Sequence, residues 1–386
     1  MSKENSKIKV LFISSWFPNR VKPTLGNFVQ KHAEAVSLFA DVSILHVCFD
    51  ENLTEKKSEI VYCFEKNINS IFIYLEKNKF PIFRFLKYIK AYRKGLTLIK
   101  EKYSNPDIIH ANIAFPVGLV FIFIKAFKKI PFVLSEHWTG YLFQTHTKIG
   151  FLRKYFIKRI LKKAAMIMPV SADLKEAMES IEFKGKYKVV GNVVDDVFFN
   201  HYPDKPKKNK FKFLHVSSLD DRQKNISGII RAIHQVSEQR KDFEVLIISD
   251  GMAGTFIQKA RELNILNNFV FFENKKSTKE LSDIMHHSDC LIMFSHFESF
   301  SIVIAESLAS GVPIIATHAG GIAADISQEH GIIIKPGDET ALINAMLYII
   351  DHHDEYQKEL LITFAEKFKA KIIGKEFLDI YIHCLN

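Results

Sequence analysis

The feature that most narrows the fold is an alternation carried along the whole chain, in which short apolar runs rich in Val, Ile and Phe alternate with longer segments of helical period. That is the pattern of βαβ units wound on a parallel sheet. In the first half the candidate strands are residues 10–14, 42–47, 107–111, 131–135, 166–170 and 188–190. In the second half they are residues 211–216, 243–249, 269–272, 290–294, 313–316 and 331–334, with helical patterns at 226–236, 255–263, 279–287 and 301–310. Residues 201–210, HYPDKPKKNK, are polar, basic and twice interrupted by proline, so they read as a linker. A chain of 386 residues exceeds one ordinary core and suffices for two. The expected architecture is α/β: two Rossmann-like domains, residues 1–200 and 211–366, with parallel sheets facing across a cleft. Residues 367–386 are expected to form a helix returning to the first domain. In such sheets ligands lodge outside the carboxyl ends of the strands, so strand-end loops are where function is sought.

Composition limits the alternatives. With 47% hydrophobic and 25% charged residues the chain is neither disordered nor fibrous. Its polar start lacks the apolar stretch of a secretory signal, and a cytoplasmic location is expected. The longest unbroken apolar run, residues 113–124, spans 12 residues and contains Pro116 and Gly118, whereas a membrane span needs roughly 20. Four scattered cysteines form no CxxC pair and no Cys/His metal spacing.

The net charge of +10 is uneven: residues 1–200 hold 32 Lys and Arg against 18 Asp and Glu, a net +14, and the remainder a net −4. Residues 79–94 carry six basic side chains and no acid, interleaved with aromatics; residues 148–163 carry seven more. Basic clusters beside aromatics suit an anionic membrane surface, each cation contributing on the order of 1 kcal/mol. An inner membrane face is therefore an expected partner. A solvated face of a core helix is the plainer reading, and no nucleic-acid motif accompanies the charge.

The most informative stretch runs from Ser295 through Glu298, Ser299, Phe300, Ser301 and Glu306 to Gly311 and Pro313. Its order is strand, loop, helix, turn, strand. Ser299 or Ser301 serves as N-cap, and Gly311 ends the helix in the left-handed conformation with Pro313 beyond. A helix start at a strand end offers unpaired N–H groups to an anion such as a diphosphate. Two glutamates eight residues apart would stand about 12 Å apart along one helix, too far for the carboxyl pair of a retaining glycosidase. Glu298 is thus expected in the loop and Glu306 in the helix, touching different hydroxyls of one ligand.

This E-x7-E spacing, followed by Gly311-Val-Pro313 and by Gly320-Gly321-Ile322, resembles the donor-site signature of glycosyltransferase family 4, retaining enzymes of the GT-B fold. Asp250-Gly251 is similar to the family's GDG turn with Ser249 in place of its first glycine. Lys224-Asn225 is similar to its KG or KN, residues 331–338 to its late G-x-x-x-x-P-G-D, and residues 191–195 to its PNGVD. Trp16-Phe-Pro18 and the residues up to Gly26 and Phe28 resemble the glycine loop over the donor phosphates.

The resemblance implies an acceptor-binding first domain and a second domain that binds a nucleotide-sugar. It casts Glu298 on the donor sugar, Glu306 on the ribose, and Lys224 on the diphosphate. It also implies donor contacts from Gly26, Asp250, Gly251, Ser299, Phe300 and Ser301. The family's usual arginine falls on Ser218, and Arg222 is the candidate to replace it. A glutamate common after Gly-Gly-Ile falls on Ala324. His137, after a strand, matches a sugar-contacting histidine, whereas His110 is expected to bond locally, and His286, His287, His352 and His353 to lie on the surface. No D-x-D occurs, so no metal and no cofactor are expected. The implied activity is hexosyl transfer, with retention, to a saccharide or lipid-linked saccharide acceptor in surface polysaccharide or lipopolysaccharide biosynthesis. A nucleotide-sugar 2-epimerase and a non-catalytic sugar-nucleotide-binding subunit are the alternatives. No nucleic acid partner is expected.

Overall fold

The computed structural model describes residues 7–53, 58–77, 79–200 and 210–386, so most of the expected linker, residues 201–209, lies outside the described residues. The chain divides into two compact units, Met1–Val193 with Ala370–Asn386, and Val194–Lys369. The divisions therefore fall at 193/194 and 369/370 rather than at 200 and 366. The reason is local: Val194 bridges Lys369, Phe198 is fully buried, and the Ser282 hydroxyl donates to the Val197 carbonyl at 2.9 Å. The apolar run before the basic stretch thus packs with the second unit.

The first unit contains β1 (Lys9–Ser14), α1 (Asn27–Ser37), β2 (Asp41–Asp50), β3 (Ser58–Glu65), β4 (Ile68–Glu76), α2 (Pro81–Lys102), β5 (Ile108–Asn112), α3 (Val120–Phe123), β6 (Phe132–Glu136), α4 (Phe151–Leu161), β7 (Met166–Pro169) and α5 (Ala172–Ser180). Its sheet runs β3-β4-β2-β1-β5-β6-β7, parallel except for the edge strand β3, which pairs antiparallel with β4. That hairpin was absent from the sequence expectation. Its two-residue turn, Lys66-Asn67, has both φ positive, the geometry of a primed hairpin turn. Residues 188–190, expected as a strand, run beside β7 with two backbone hydrogen bonds and form no ladder.

The second unit contains β8 (Phe211–Val216), α6 (Asp221–Lys224), α7 (Ile226–Gln239), β9 (Phe243–Ser249), α8 (Gly254–Glu262), β10 (Val270–Asn274), α9 (Thr278–His286), β11 (Cys290–Met293), α10 (Ile302–Ala309), β12 (Ile314–Thr317), β13 (Gly331–Ile334), α11 (Glu339–His352) and α12 (Lys358–Ala365). Its sheet runs β10-β9-β8-β11-β12-β13, parallel throughout. The strand order reverses between β8 and β11 here, and between β1 and β5 in the first unit, so the crevices for ligands open at those two points. The last helix, α13 (Ala370–Leu385), belongs to the first unit and lies on α1 so closely that a Cβ at Gly374 would stand 2.2 Å from the Ala35 carbonyl oxygen. Among the described residues no helix is long and apolar enough to cross a membrane.

Candidate active site

At the reversal point of the second sheet, the loop after β8 leads into the single turn of α6, which ends on Lys224. The next residue, Asn225, has φ +50, and its side chain accepts from the Gly228 N–H to start α7. Only Gly, Asn or Asp takes that left-handed position readily, which is why a Lys-Asn pair sits there. Across the crevice, the loop after β11 carries Glu298, whose backbone N–H donates to the Ala319 carbonyl at 2.7 Å.

Lys224 Nζ and Glu298 Oε1 meet at 2.5 Å with both side chains largely buried. The Ser295 hydroxyl donates to the same oxygen at 2.7 Å. Glu298 Oε2 receives only a long 3.4 Å contact from Gln223 Nε2. One carboxylate oxygen is therefore saturated and the other retains acceptor capacity. Removing one partner of such a pair strands the other charge, a cost of several kcal/mol when fully enclosed.

The loop is held from beneath. His215 on β8 donates through Nδ1 to the Ile292 carbonyl of β11 at 2.8 Å, and its Nε2 accepts from the Ser217 hydroxyl at 2.8 Å. Ser217 in turn accepts from the Leu219 N–H at 3.2 Å. Burial, followed by the charge of Lys224, pushes the His215 imidazole down to about 4, so it stays neutral in this role. Thr317 Oγ1 donates to the Ser295 carbonyl at 2.5 Å. His215, Ser217, Gln223, Ser295 and Thr317 escaped the sequence reading; a lone histidine inside an apolar strand followed by two serines was the only trace of this support.

Helix α10 starts at Ser301, which has φ +65 and makes no side-chain cap bond. Its hydroxyl is buried without a hydrogen-bond partner. An N-cap whose side chain caps no helix N–H and whose own buried hydroxyl is unsatisfied is arranged for an added acceptor. Gly320 and Gly321, with φ +94 and +70, close on this loop, and a Cβ at Gly321 would stand 2.6 Å from the Phe300 carbonyl oxygen. Phe300 itself is buried with its ring edge-on to Phe368, so only its main chain faces the loop. Ser299 is half-buried beside it, and Glu306 is half-buried one turn into α10.

Asp250 and Gly251 are exposed after β9, and a Cβ at Gly251 would stand 2.1 Å from the Ser218 carbonyl, so that turn abuts the β8 loop. Arg222 is exposed two residues before Lys224 in the same turn, a spacing at which helical side chains diverge. The structure does not bring it together with Lys224 and Glu298.

In the first unit Gly26 starts α1 with φ +75, and a Cβ there would stand 2.4 Å from the Trp16 carbonyl oxygen, so the residue must be glycine. His137 follows β6 and is buried, with both ring nitrogens unpartnered and its ring 4.2 Å from that of Phe28. Burial holds its imidazole well below the usual range. Its neighbour Glu136 accepts from the N–H groups of Ala114, His137 and Trp138 and from the Tyr141 hydroxyl, which fixes the loop. His110 bonds the Tyr381 hydroxyl at 2.6 Å and the Ser135 hydroxyl at 2.7 Å. His286, expected at the surface, is buried against the Ser282 carbonyl because it ends α9 on its inner face.

Comparison with known proteins agrees with this layout. Glycosyltransferase Family 4 matches residues 41–198, and Glycosyl transferases group 1 matches residues 198–362. An uncharacterized glycosyltransferase of Methanocaldococcus jannaschii is 26% identical over 345 residues, 86% of this chain and 88% of the relative. The putative teichuronic acid biosynthesis glycosyltransferase TuaC of Bacillus subtilis is 22% identical over 94% of both chains. Anabaena HepE, solved in complex with UDP and glucose, superposes with a TM-score of 0.73 at 16% identity over 96% of this chain and 98% of that one. Matched by glycosyltransferase models across both halves, the chain is a family 4-like glycosyltransferase of the GT-B fold.

Proposed function

We propose that the protein transfers a sugar with retention from a nucleotide-sugar donor to a lipid-linked saccharide acceptor, in surface polysaccharide or lipopolysaccharide biosynthesis. The observation that carries this reading is the Lys224 to Glu298 pair at the reversal point of the second sheet, with one oxygen of Glu298 left with acceptor capacity. The complex of HepE with UDP and glucose supports the donor class, and the putative role of TuaC in teichuronic acid biosynthesis supports the polysaccharide setting. In this reading the diphosphate lies at the start of α10, where the Ser301 hydroxyl and helix N–H groups receive it beside Lys224. Glu298 takes sugar hydroxyls and Glu306 the ribose, while Asp250, Gly251, Ser299 and the main chain of Phe300 line the donor. Gly26 and His137 take the donor-side roles the family resemblance gives them, in the phosphate loop and on the donor sugar, and the first domain binds the acceptor.

The bond from sugar C1 to the diphosphate oxygen breaks, and that oxygen keeps the electron pair. The acceptor oxygen bonds to C1 on the same face, and its proton passes to the departing diphosphate, the nearest base there. Lys224 and the helix N–H groups stabilise the charge as it develops, in place of a metal. Lys224→Ala is expected to lower kcat/KM by about ten- to a hundredfold, the value of one charge-assisted hydrogen bond. Assays across UDP-, GDP- and ADP-sugars, with membrane extract as acceptor and with EDTA present, test this. Interconversion of free donors without transfer, or unchanged activity in the variant, would overturn it.

The membrane placement is supported by one continuous surface. On α2, Phe80, Ile82, Phe83 and Leu86 are exposed; on α4, Phe151 is 87% exposed beside Leu152. Phe123 joins the two helices, 5.3 Å from Phe85 and 5.8 Å from Phe156. Exposed apolar patches rimmed by cations mark binding surfaces. Lys87 is engaged by Glu76, whereas Lys90, Arg93 and Lys94 are exposed. Replacing those three with Gln should weaken binding to anionic liposomes by roughly 3 kcal/mol in low salt. Unchanged co-sedimentation would remove the membrane assignment of α2.

A further inference from the structure

The first unit holds a cavity of about 650 Å³ at the carboxyl ends of β1, β2 and β5, the side of a parallel sheet where ligands lodge. Its volume suits a small-molecule site. Its walls are chiefly apolar, including Val21, Leu25, Phe49, Phe85, Phe115 and Leu119. The polar groups of its floor are largely spoken for: His46 donates to the Ser14 carbonyl through Nδ1 and accepts from Asn19 through Nε2. The acid on the lining, Glu51, is engaged by Lys77.

Arg84 lines this space, and Arg153 stands beside its Phe115 wall. Arg84 stands over the Phe49 ring at 5.2 Å, and Arg153 over the Phe115 ring at 5.2 Å and the Trp138 ring at 3.9 Å. Both therefore rest on aromatic rings, two of which form the cavity wall, and among the described residues neither is ion-paired to an acid. Tyr88 is buried in the lining, and its hydroxyl lacks a partner in hydrogen-bonding geometry. Helix α2 turns Pro81, Arg84, Phe85 and Tyr88 toward the cavity, one helical face by their spacing, and leaves Phe80, Ile82, Phe83 and Leu86 exposed.

We infer that this cavity takes the apolar chain of an acceptor whose saccharide is joined to it through phosphate or diphosphate, with Arg84 and Arg153 meeting the phosphate. The inference rests on the transferase reading and specifies its acceptor. A soluble sugar would leave the apolar walls without cover, and a bare lipid would leave two arginines without an anion. An amphiphile with phosphate at the junction satisfies both, and α2 spans the path between the exposed aromatic surface and the cavity. The unpaired Tyr88 hydroxyl supplies a hydrogen bond to an oxygen at that junction.

The chain has only two tryptophans, Trp16 on the cavity wall and Trp138 under Arg153, so intrinsic fluorescence reads this site directly. Geranyl diphosphate, geraniol and inorganic diphosphate are titrated into the full-length protein with the nucleotide site saturated by a nucleoside diphosphate. Geranyl diphosphate should bind at least about tenfold tighter than either fragment. Arg84→Gln and Arg153→Gln should each weaken it by about tenfold while leaving geraniol unchanged, and Val21→Phe at the exposed rim should weaken geranyl diphosphate and geraniol alike. Equal affinities for the three probes, or variants that match the wild type, overturn the proposal. Nucleotide binding measured on the same samples is independent: its loss alone refutes the transferase reading, and loss of amphiphile binding alone refutes the subsite.

Discussion

Glu298→Ala is expected to reduce sugar transfer by about two to three orders of magnitude, the effect of deleting one well-placed stabilising contact in an enclosed site. The size follows from how its two oxygens are used. Oε1 is saturated by Lys224 and Ser295, while Oε2 has only the long contact to Gln223. The second oxygen is the one available to a sugar hydroxyl, and a negative partner there strengthens its contact as the ring gains positive charge. Removing the carboxylate also frees Lys224 to bind the ground-state diphosphate more tightly. The loss should therefore fall on kcat, with KM for the donor unchanged or lowered. Glu298→Gln keeps the shape and the bond from Ser295 but strands the Lys224 charge, so it should remain folded, unfold at a lower temperature than the wild type, and lose most of the same rate. Steady-state kinetics of both variants decide the matter: activity within a few-fold of wild type removes Glu298 from the sugar site.

Much of this was legible because the second unit follows local rules. Its six strands are short, predominantly apolar runs between turn residues, and the Gly311 and Pro313 stop signals fall where α10 ends. The first unit was harder. Strand β3 is half exposed along its length and carries Glu59, Tyr62, Cys63 and Phe64, so no buried periodicity announces it. The division at Val193 was hidden because the Val and Phe residues among 193–199 look the same whichever core receives them; the bridge from Val194 to Lys369 settles it. At the site, residues with family spacing were visible, but their supports were not. His215 and Thr317 act through contacts to carbonyls on or just past β11, and Ser217 through the His215 ring, and such pairing depends on sheet order, which a single sequence does not state. Arg222 is a contrast: sequence proximity made it a substitute cation, yet it is exposed, whereas Lys224 is buried against Glu298.

Mild acid is expected to destabilise the first unit more than the second, because of where the neutral histidines are buried. His32 and His46 are both pushed down to about 4, by burial in each case, and His110 and His137 are pushed well below their usual range by the same cause. All four belong to the first unit. In the second unit His215 is the fully enclosed counterpart, with His286 and His330 shifted in the same direction from less enclosed positions. An unfolded imidazole titrates near 6.5, so between that pH and about 4 the unfolded chain binds the proton and the folded one does not. The stability these groups contribute is present above pH 6.5 and is lost as pH falls through this window. At pH 5 His32 and His46 each account for about 2 kcal/mol of loss, and His110 and His137 add to it in the same direction. Glu136 opposes this, since burial raises its carboxyl, but it is one group against four. Differential scanning calorimetry between pH 7.5 and 5.0 should show one transition, the first unit's, falling much faster than the other; limited proteolysis at pH 5 should cut within residues 1–193 first. If both units lost stability equally over that range, the imidazoles would have to be hydrated in the folded state, and the closed packing of His32, His110 and His137 against Phe377 and Phe28 would be wrong.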